Sequence, residues 1–178
     1  MTADIDARTW LRERGATMVE HPGGTLFAHL CRVEELLAEL GHPRDVQLAG
    51  LTHAAYGTDG FPLALLDWTD RATLRNLIGT EAEALVYLYG ACDRKRSWPH
   101  LAETHEVTDR FTDRVEHLTP AMLTPFIDLS IVNELDVIAQ NPALLTKHGD
   151  YFRTLFTAWS PATSPPVAAR IRHITAPA

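Results

Sequence analysis

Apolar residues recur at three- and four-residue spacing along most of the chain, and the breaks in that rhythm fall at glycine, proline and polar clusters. Ala7 to Gly15 reads as a short helix ended by glycine, and Val19-Glu20-His21-Pro22-Gly23-Gly24 as a loop. From Thr25 the line Leu26, His29/Leu30, Val33, Leu36/Leu37, Leu40 predicts an amphipathic helix that Gly41 stops. Asp45 is expected to cap the next helix, whose line Val46, Leu48/Ala49, Leu51/Thr52, Ala55/Tyr56 runs to Gly57. The two would form an antiparallel pair with a short connection. After the loop 57–62, Thr69-Asp70 announces a brief helix ending near Gly79. Thr80 to Glu83 then has the form of a capping box, introducing a deeply buried helix with Ala84, Leu85, Val86, Leu88, Tyr89 and Cys92.

Trp98-Pro99 breaks that helix, and the polar run from Leu101 to His117 predicts a long loop with one helical turn. Thr119-Pro120 and Asn141-Pro142 each set a cap residue before a proline at the first helical position. Two late helices follow, with apolar lines Leu123, Ile127, Ile131, Leu135, Ile138 and Leu144/Leu145, Phe152, Leu155/Phe156, Trp159. No run of β-branched and aromatic residues alternates with period two, which leaves an all-α class. For 178 residues the expectation is one domain over 1–178, with a core at 25–95 and C-terminal helices at 119–173.

Composition narrows the partners. With 46% hydrophobic and 22% charged residues the chain is expected to fold on its own. A net charge of −7, with only short basic clusters at 93–96 and 170–173, argues against nucleic acid. No signal-like start and no apolar run of bilayer length is present, so no membrane partner is expected. Cys31 and Cys92 fall on apolar helical patterns as small hydrophobes, which suits a cytoplasmic location. The chain has no Gly-rich phosphate loop after a strand, no Gly-x-Ser-x-Gly elbow and no His-Glu-x-x-His helix. His100, His105 and His117 lie in the polar segment and are expected at the surface. Val167 and Ile171 would cover either a partner subunit or this chain's own core, which leaves an oligomer open.

Three polar residues stand on apolar helical lines: His29 between Leu26 and Val33, His53 between Ala49 and Tyr56, and Asp93 after Val86 and Tyr89. A buried carboxylate needs a partner or a metal, and imidazoles on neighbouring helices are natural companions. Two imidazoles and a carboxylate suit one divalent ion, iron, manganese or zinc, with positions left for water or a small-molecule substrate. Hydrogen-bonded core residues are the structural alternative. His21 would line the same pocket from the loop before the first of these helices, or simply precede a turn proline at the surface. Tyr56, one turn beyond His53, would offer its hydroxyl or pack in the core, and Thr58 and Asp59 follow in the same loop. Asn133 and Glu134 interrupt an apolar line and are candidates for a far wall.

The runs Thr25-Leu-Phe-Ala-His29-Leu-Cys-Arg-Val33, Asp45-Val-Gln-Leu-Ala-Gly-Leu-Thr-His53 and Tyr87-Leu-Tyr-Gly-Ala-Cys-Asp93-Arg94 resemble the HD-domain superfamily over about residues 25 to 95. The resemblance implies an HD-like orthogonal helical bundle. In that superfamily a first His, a His-Asp pair and a later Asp bind one or two metals, mostly for phosphoester hydrolysis and in a minority for di-iron oxygenation. His29, His53 and Asp93 match ligand positions, whereas Ala54 stands where the pair has aspartate. The motif His53-Ala-Ala-Tyr56-Gly57-Thr58 also resembles uncharacterised bacterial proteins with a His-Ala or His-Ser pair before Tyr-Gly-Thr. The function implied is hydrolysis of a small molecule at a mononuclear metal site on His29, His53 and Asp93, with His21, Tyr56 and Thr58 beside it. The alternatives are an iron oxygenase of the HD type, or a metal-free HD-like protein that binds a small ligand or does acid–base chemistry with His21, His53 and Tyr56.

Overall fold

The computed structural model describes residues 2–175; Met1 and residues 176–178 lie outside it. It is mostly helical, as the periodicity requires, and separates into two units, one up to Cys92 and one from Asp93 on.

The first unit begins with α1 (Thr2–Glu13), a hairpin of β1 (Glu20–His21) and β2 (Gly24–Thr25), and α2 (Leu26–Glu39). Thr25 caps α2, its side chain accepting the Ala28 N–H at 3.2 Å, and Gly41 stops it while the His42 N–H returns to the Leu37 carbonyl. Helix α3 (Arg44–Thr52) starts at Pro43, so Asp45 sits in the first turn, where its charge complements the helix dipole, and is not the cap. It also ends at Thr52, five residues short of Gly57. The chain continues in successive tight turns, Ala55 N–H to Thr52 O and Gly57 N–H to Ala54 O. Asp70 caps α4 (Arg71–Ile78) through the Thr73 N–H. Helix α5 (Thr80–Ala91) is apolar all round and buried from Ala82 to Ala91 except at Ala84, but its cap is Gly79 with no side-chain bond. The expected capping box does not form because the Glu83 carboxylate is engaged elsewhere, by Arg71, Arg75 and Tyr56.

Two glycines set how closely α3 and its following turn meet their neighbours. A Cβ on Gly50 would lie 2.3 Å from Leu37 Cδ1 and 3.4 Å from Val33 Cγ1 on α2. A Cβ on Gly90 would lie 2.9 Å from the Gly57 carbonyl and 3.2 Å from Tyr56 Cβ. The second site is the less forgiving, since a backbone oxygen cannot rotate away as a leucine methyl can.

The second unit starts with two short helices, α6 (Arg94–Ser97) and α7 (Leu101–Thr104), and a hairpin of β3 (Glu106–Asp109) and β4 (Arg114–His117) in register from Glu106↔His117 to Asp109↔Arg114. The hairpin replaces most of the loop expected over 101–117. It escaped the periodicity because β4 is exposed throughout, so no alternating apolar face marks it. The Asp109 carboxylate closes its turn by accepting the Phe111 and Thr112 N–H groups at 2.7 and 3.1 Å. Then come α8 (Pro120–Gln140), α9 (Ala143–Trp159), which kinks at His148, a 3-10 turn (Ser160–Ala162) and α10 (Pro165–Thr175). Their core is aromatic: Trp98 and Trp159 meet edge to face at 5.1 Å, Phe156 lies 6.5 Å from Trp159, and Phe126 is buried. Val167 and Ile171 are buried by their own chain at 0% and 1% exposure, which answers what they cover.

In urea denaturation Gly90→Ala is expected to lower stability by about 1–3 kcal/mol through overpacking. Gly149→Ala in α9, where an added methyl meets nothing within 4 Å, should leave it unchanged or raise it by up to about 1 kcal/mol. Equal effects at the two positions would refute the close approach as the cause.

Candidate functional site: a column of imidazoles in the first unit

The first unit gathers three of its histidines into one line of rings. His29 lies on the inward face of α2 with Leu26, Leu30 and Val33 and is 1% exposed. His53 is the residue that ends α3, 2% exposed, and its ring meets that of His29 edge to face at 5.2 Å. On the other side of His29 lies His21, half-buried on the hairpin, with its ring stacked at 4.0 Å and tilted by 23°. Phe61 closes the outer end, its ring edge-on to His21 at 5.7 Å, and Tyr89 of α5 closes the inner end against His53 at 5.1 Å.

Backbone contacts hold each member. The loop after α3 folds back through a two-way pairing of Thr58 and Phe61, at 2.9 and 3.0 Å. Leu65 and Leu66 both donate to the Ala55 carbonyl, and Arg14 reaches the Leu65 carbonyl. Thr58 therefore serves the column through its main chain, by placing Phe61. Arg32, three residues beyond His29 on α2, donates to the carbonyls of Pro22 and Gly23 at the hairpin tip. His53 Nδ1 lies 2.8 Å from the Gly50 carbonyl oxygen. Because a carbonyl only accepts, Nδ1 carries the proton, and Nε2 is the basic nitrogen of the neutral ring.

Ring-nitrogen lone pairs lie in the ring plane, and two nearly parallel stacked rings send them along nearly parallel planes, not toward one point. Among the described residues no group of three or more His, Cys, Asp or Glu side chains has a geometry that holds a metal ion.

The other expected residues make contacts of their own. Asp93 does not lie on the face of α5, which ends at Ala91; it opens the second unit, half-buried, and its carboxylate caps α6 by accepting the Arg96 N–H at 3.0 Å. Tyr56, 2% exposed, directs its hydroxyl to Glu83 Oε1 at 2.9 Å. Asn133 and Glu134 belong to the second unit, where Asn133 and Arg94 both donate to Glu134. His100, His105 and His117 are exposed, as expected, and His117 pairs with Glu106 across the hairpin.

Two buried carboxylates, whose ion pairs the sequence did not reveal, tie the helices of the first unit together. Glu83, 0% exposed, receives a two-pronged contact from Arg71 at 2.7 and 2.8 Å, a bond from Arg75 at 3.3 Å and the Tyr56 hydroxyl. The Arg71 guanidinium also lies over the Tyr87 ring at 3.9 Å. Glu34, 4% exposed, is held by Arg44 of α3 at 2.8 Å and by Arg8 of α1, which also donates to Cys31 Sγ. Burial pushes the Cys31 thiol above its ordinary pKa despite the nearby Arg8, so it remains a neutral thiol. The signal for Glu83 was a carboxylate directly preceding the apolar run of α5, two residues beyond the exposed Glu81. For Phe61 and Tyr89 no polar anomaly marked the position.

A family model described as "Domain of unknown function (DUF6817)" matches residues 10–94, the stretch that holds the imidazole column. No curated protein and no solved structure matches the chain.

Arg71→Met, which leaves the buried Glu83 short of its two-pronged partner, is expected to cost about 3–5 kcal/mol. Adding Glu83→Gln should recover part of that loss in a double-mutant cycle, and strict additivity would show that the pair is not coupled. Burial first, then the bond to Glu83 and its negative charge, raise the Tyr56 hydroxyl above the ordinary tyrosine value. The folded state thus keeps a proton that the unfolded chain releases from about pH 10 upward, so this contribution is complete below about pH 10 and is lost as pH rises. Stability measured from about pH 8 to 11.5 should therefore fall more steeply in the wild type than in Tyr56→Phe. Parallel curves would contradict it.

Proposed function

We propose that the first unit is a small-molecule site at which His29 and His53, covered at their outer end by His21, move protons without a resident metal, on a divergent HD-like helical scaffold. The observation that carries this is the column itself: two imidazoles nearly excluded from water in ring contact, with a third half-exposed at their outer end. Within it His53 acts as the general base through Nε2, its orientation and tautomer held by the Gly50 carbonyl. His29 accepts or returns charge beside it, and His21 faces the entering ligand. Tyr56 supports the turn and takes no proton, because its hydroxyl is bound to Glu83. The HD-like arrangement is supported by the adjacency of His29 and His53 on α2 and at the end of α3, with Ala54 in place of the family's aspartate. No helix among the described residues is long and apolar enough to cross a membrane, and a cytoplasmic small-molecule role accords with that.

A second proposal keeps a divalent ion on His29 and His53, favoured by the 5.2 Å separation of their rings. One set of measurements separates the two. Protein purified without an affinity tag is assayed for metal and offered a panel of small esters and phosphoesters. The proton-transfer proposal expects no stoichiometric metal and turnover that survives chelation. It also expects a fall of about 10²–10⁴-fold in His53→Gln, with turnover kept in Tyr56→Phe. Stoichiometric metal that is lost in His53→Ala, or turnover indifferent to His53→Gln, would overturn it.

A further inference from the structure

His21 stands differently from the other two imidazoles. His29 and His53 are built into a helix and its end, whereas His21 rides on a hairpin whose strands are two residues each, paired only at Glu20↔Thr25 and His21↔Gly24. Two-stranded pieces this short are marginal by themselves. The turn between them uses Gly23 and Gly24 at φ +78° and +129°, backbone that other residues rarely adopt. The base of the hairpin is fixed by Leu26 N–H to the Val19 carbonyl at 2.8 Å. Its tip is tied to α2 by the Arg32 guanidinium, at exposed and long distances of 3.2 and 3.4 Å, and by the stack of His21 on His29. A firm base and a weakly tied tip make a lever, with the imidazole of His21 as the part that moves.

What that imidazole occupies has a definite shape. It is a stacking position, with the face of His29 on one side and Phe61 edge-on beside it. A ring face and a ring edge favour a flat, uncharged aromatic ring, since stacking and edge-on contacts add about 0.5–1.5 kcal/mol beyond the area buried.

We infer that His21 is a self-supplied occupant of a slot for a planar heteroaromatic ligand, and that the tip of the hairpin at residues 20–25 is the lid that withdraws it. This rests on the proposal that the column is a ligand site. It makes the closed form self-inhibited: a ligand must displace one intramolecular stack to form its own, and its apparent affinity is reduced by the fraction of molecules in which the lid is closed.

Benzimidazole, a flat ring pair of the chemistry that His21 presents, is the probe. Its binding is followed by NMR signals of His29 and Phe61 in wild type, His21→Ala and Arg32→Gln, with His100→Ala as the control. The expected result is binding at least about tenfold tighter in His21→Ala, an intermediate gain in Arg32→Gln, and wild-type affinity in His100→Ala. His21→Ala that melts cooperatively yet binds no tighter than wild type would overturn the lid. If His21→Ala does not fold, Arg32→Gln decides, and wild-type affinity in it is equally fatal. His53→Gln placed in the His21→Ala background should leave benzimidazole affinity within about twofold, because the ring stacks on His29. Failure of the lid is thereby told apart from failure of the proton-transfer proposal, which is read from turnover and metal content.

Discussion

The turn that follows α3 is pressed between two helices, and the candidate site depends on that compression. Gly50 lets α3 approach α2 closely enough for the His29 and His53 rings to touch, and Gly90 lets α5 meet the main chain at Tyr56 and Gly57. Each contact removes a methyl's worth of space, so each couples position to composition: a side chain at either glycine would push apart the helices that carry the rings. The same carbonyl that α3 exposes at Gly50 also fixes the proton on His53. Packing and chemistry are thus set at one residue. The loop that returns through Thr58 and Phe61 begins from this turn, so the outer wall of the column inherits its position from the inner one.

Buried charge is the second organising term, and its value differs from that of packing. Glu83 and Glu34 are nearly free of solvent contact, and removing an ionised carboxylate from water costs several kcal/mol that Coulomb attraction only partly returns. Their partners are therefore as informative as their burial. Arg71 and Arg75 come from α4, Arg8 from α1 and Arg44 from α3, each long enough to keep part of its surface wet while its guanidinium reaches inward. A well-packed apolar pair would stabilise these contacts as well or better. What the ion pairs supply is direction: a shifted register of α4 on α5 would strand the Glu83 carboxylate, whereas a shifted leucine would find another neighbour.

Helix periodicity made most of the fold legible, and made its polar detail hard to see. Thr25, Gly41, Asp70 and Gly79 mark helix ends correctly because their effect is local: a side chain or a backbone conformation acts within one turn. Asp45 and Thr80 misled because a cap motif describes only one competitor for a carboxylate or hydroxyl. Glu83 found two guanidinium groups from another helix, which no local pattern encodes. The α3 line was extended through His53 to Tyr56 because a series of tight turns keeps nearly the same apolar spacing as a helix. His29 and His53 were paired by resemblance and do meet, while His21 was placed with them only as one of two options. Asp93 was placed on the line of α5, which ends two residues before it, and it caps the following helix instead. Phe61 and Tyr89 carry no anomaly in the sequence, so their part in the column emerges only from tertiary position.

Ala54 bears on the chemistry in a way that burial makes concrete. The residue is 2% exposed, beside His53 at the inner end of the column. An ionised aspartate there would require a compensating cation, and in the resembling superfamily a metal provides one. With alanine at that position the column has no such requirement, because neutral imidazoles can be buried in contact with one another and with aromatic rings. Alanine there carries one negative charge fewer than the aspartate of the pattern the sequence resembles, which favours the proposed movement of protons, since the ordinary pKa of histidine lies closest to neutral pH among the side chains. A lid bearing a third imidazole fits the same logic: it covers the two buried rings with a group that is neither so polar as to resist stacking nor so apolar as to be indifferent to the proton beneath it.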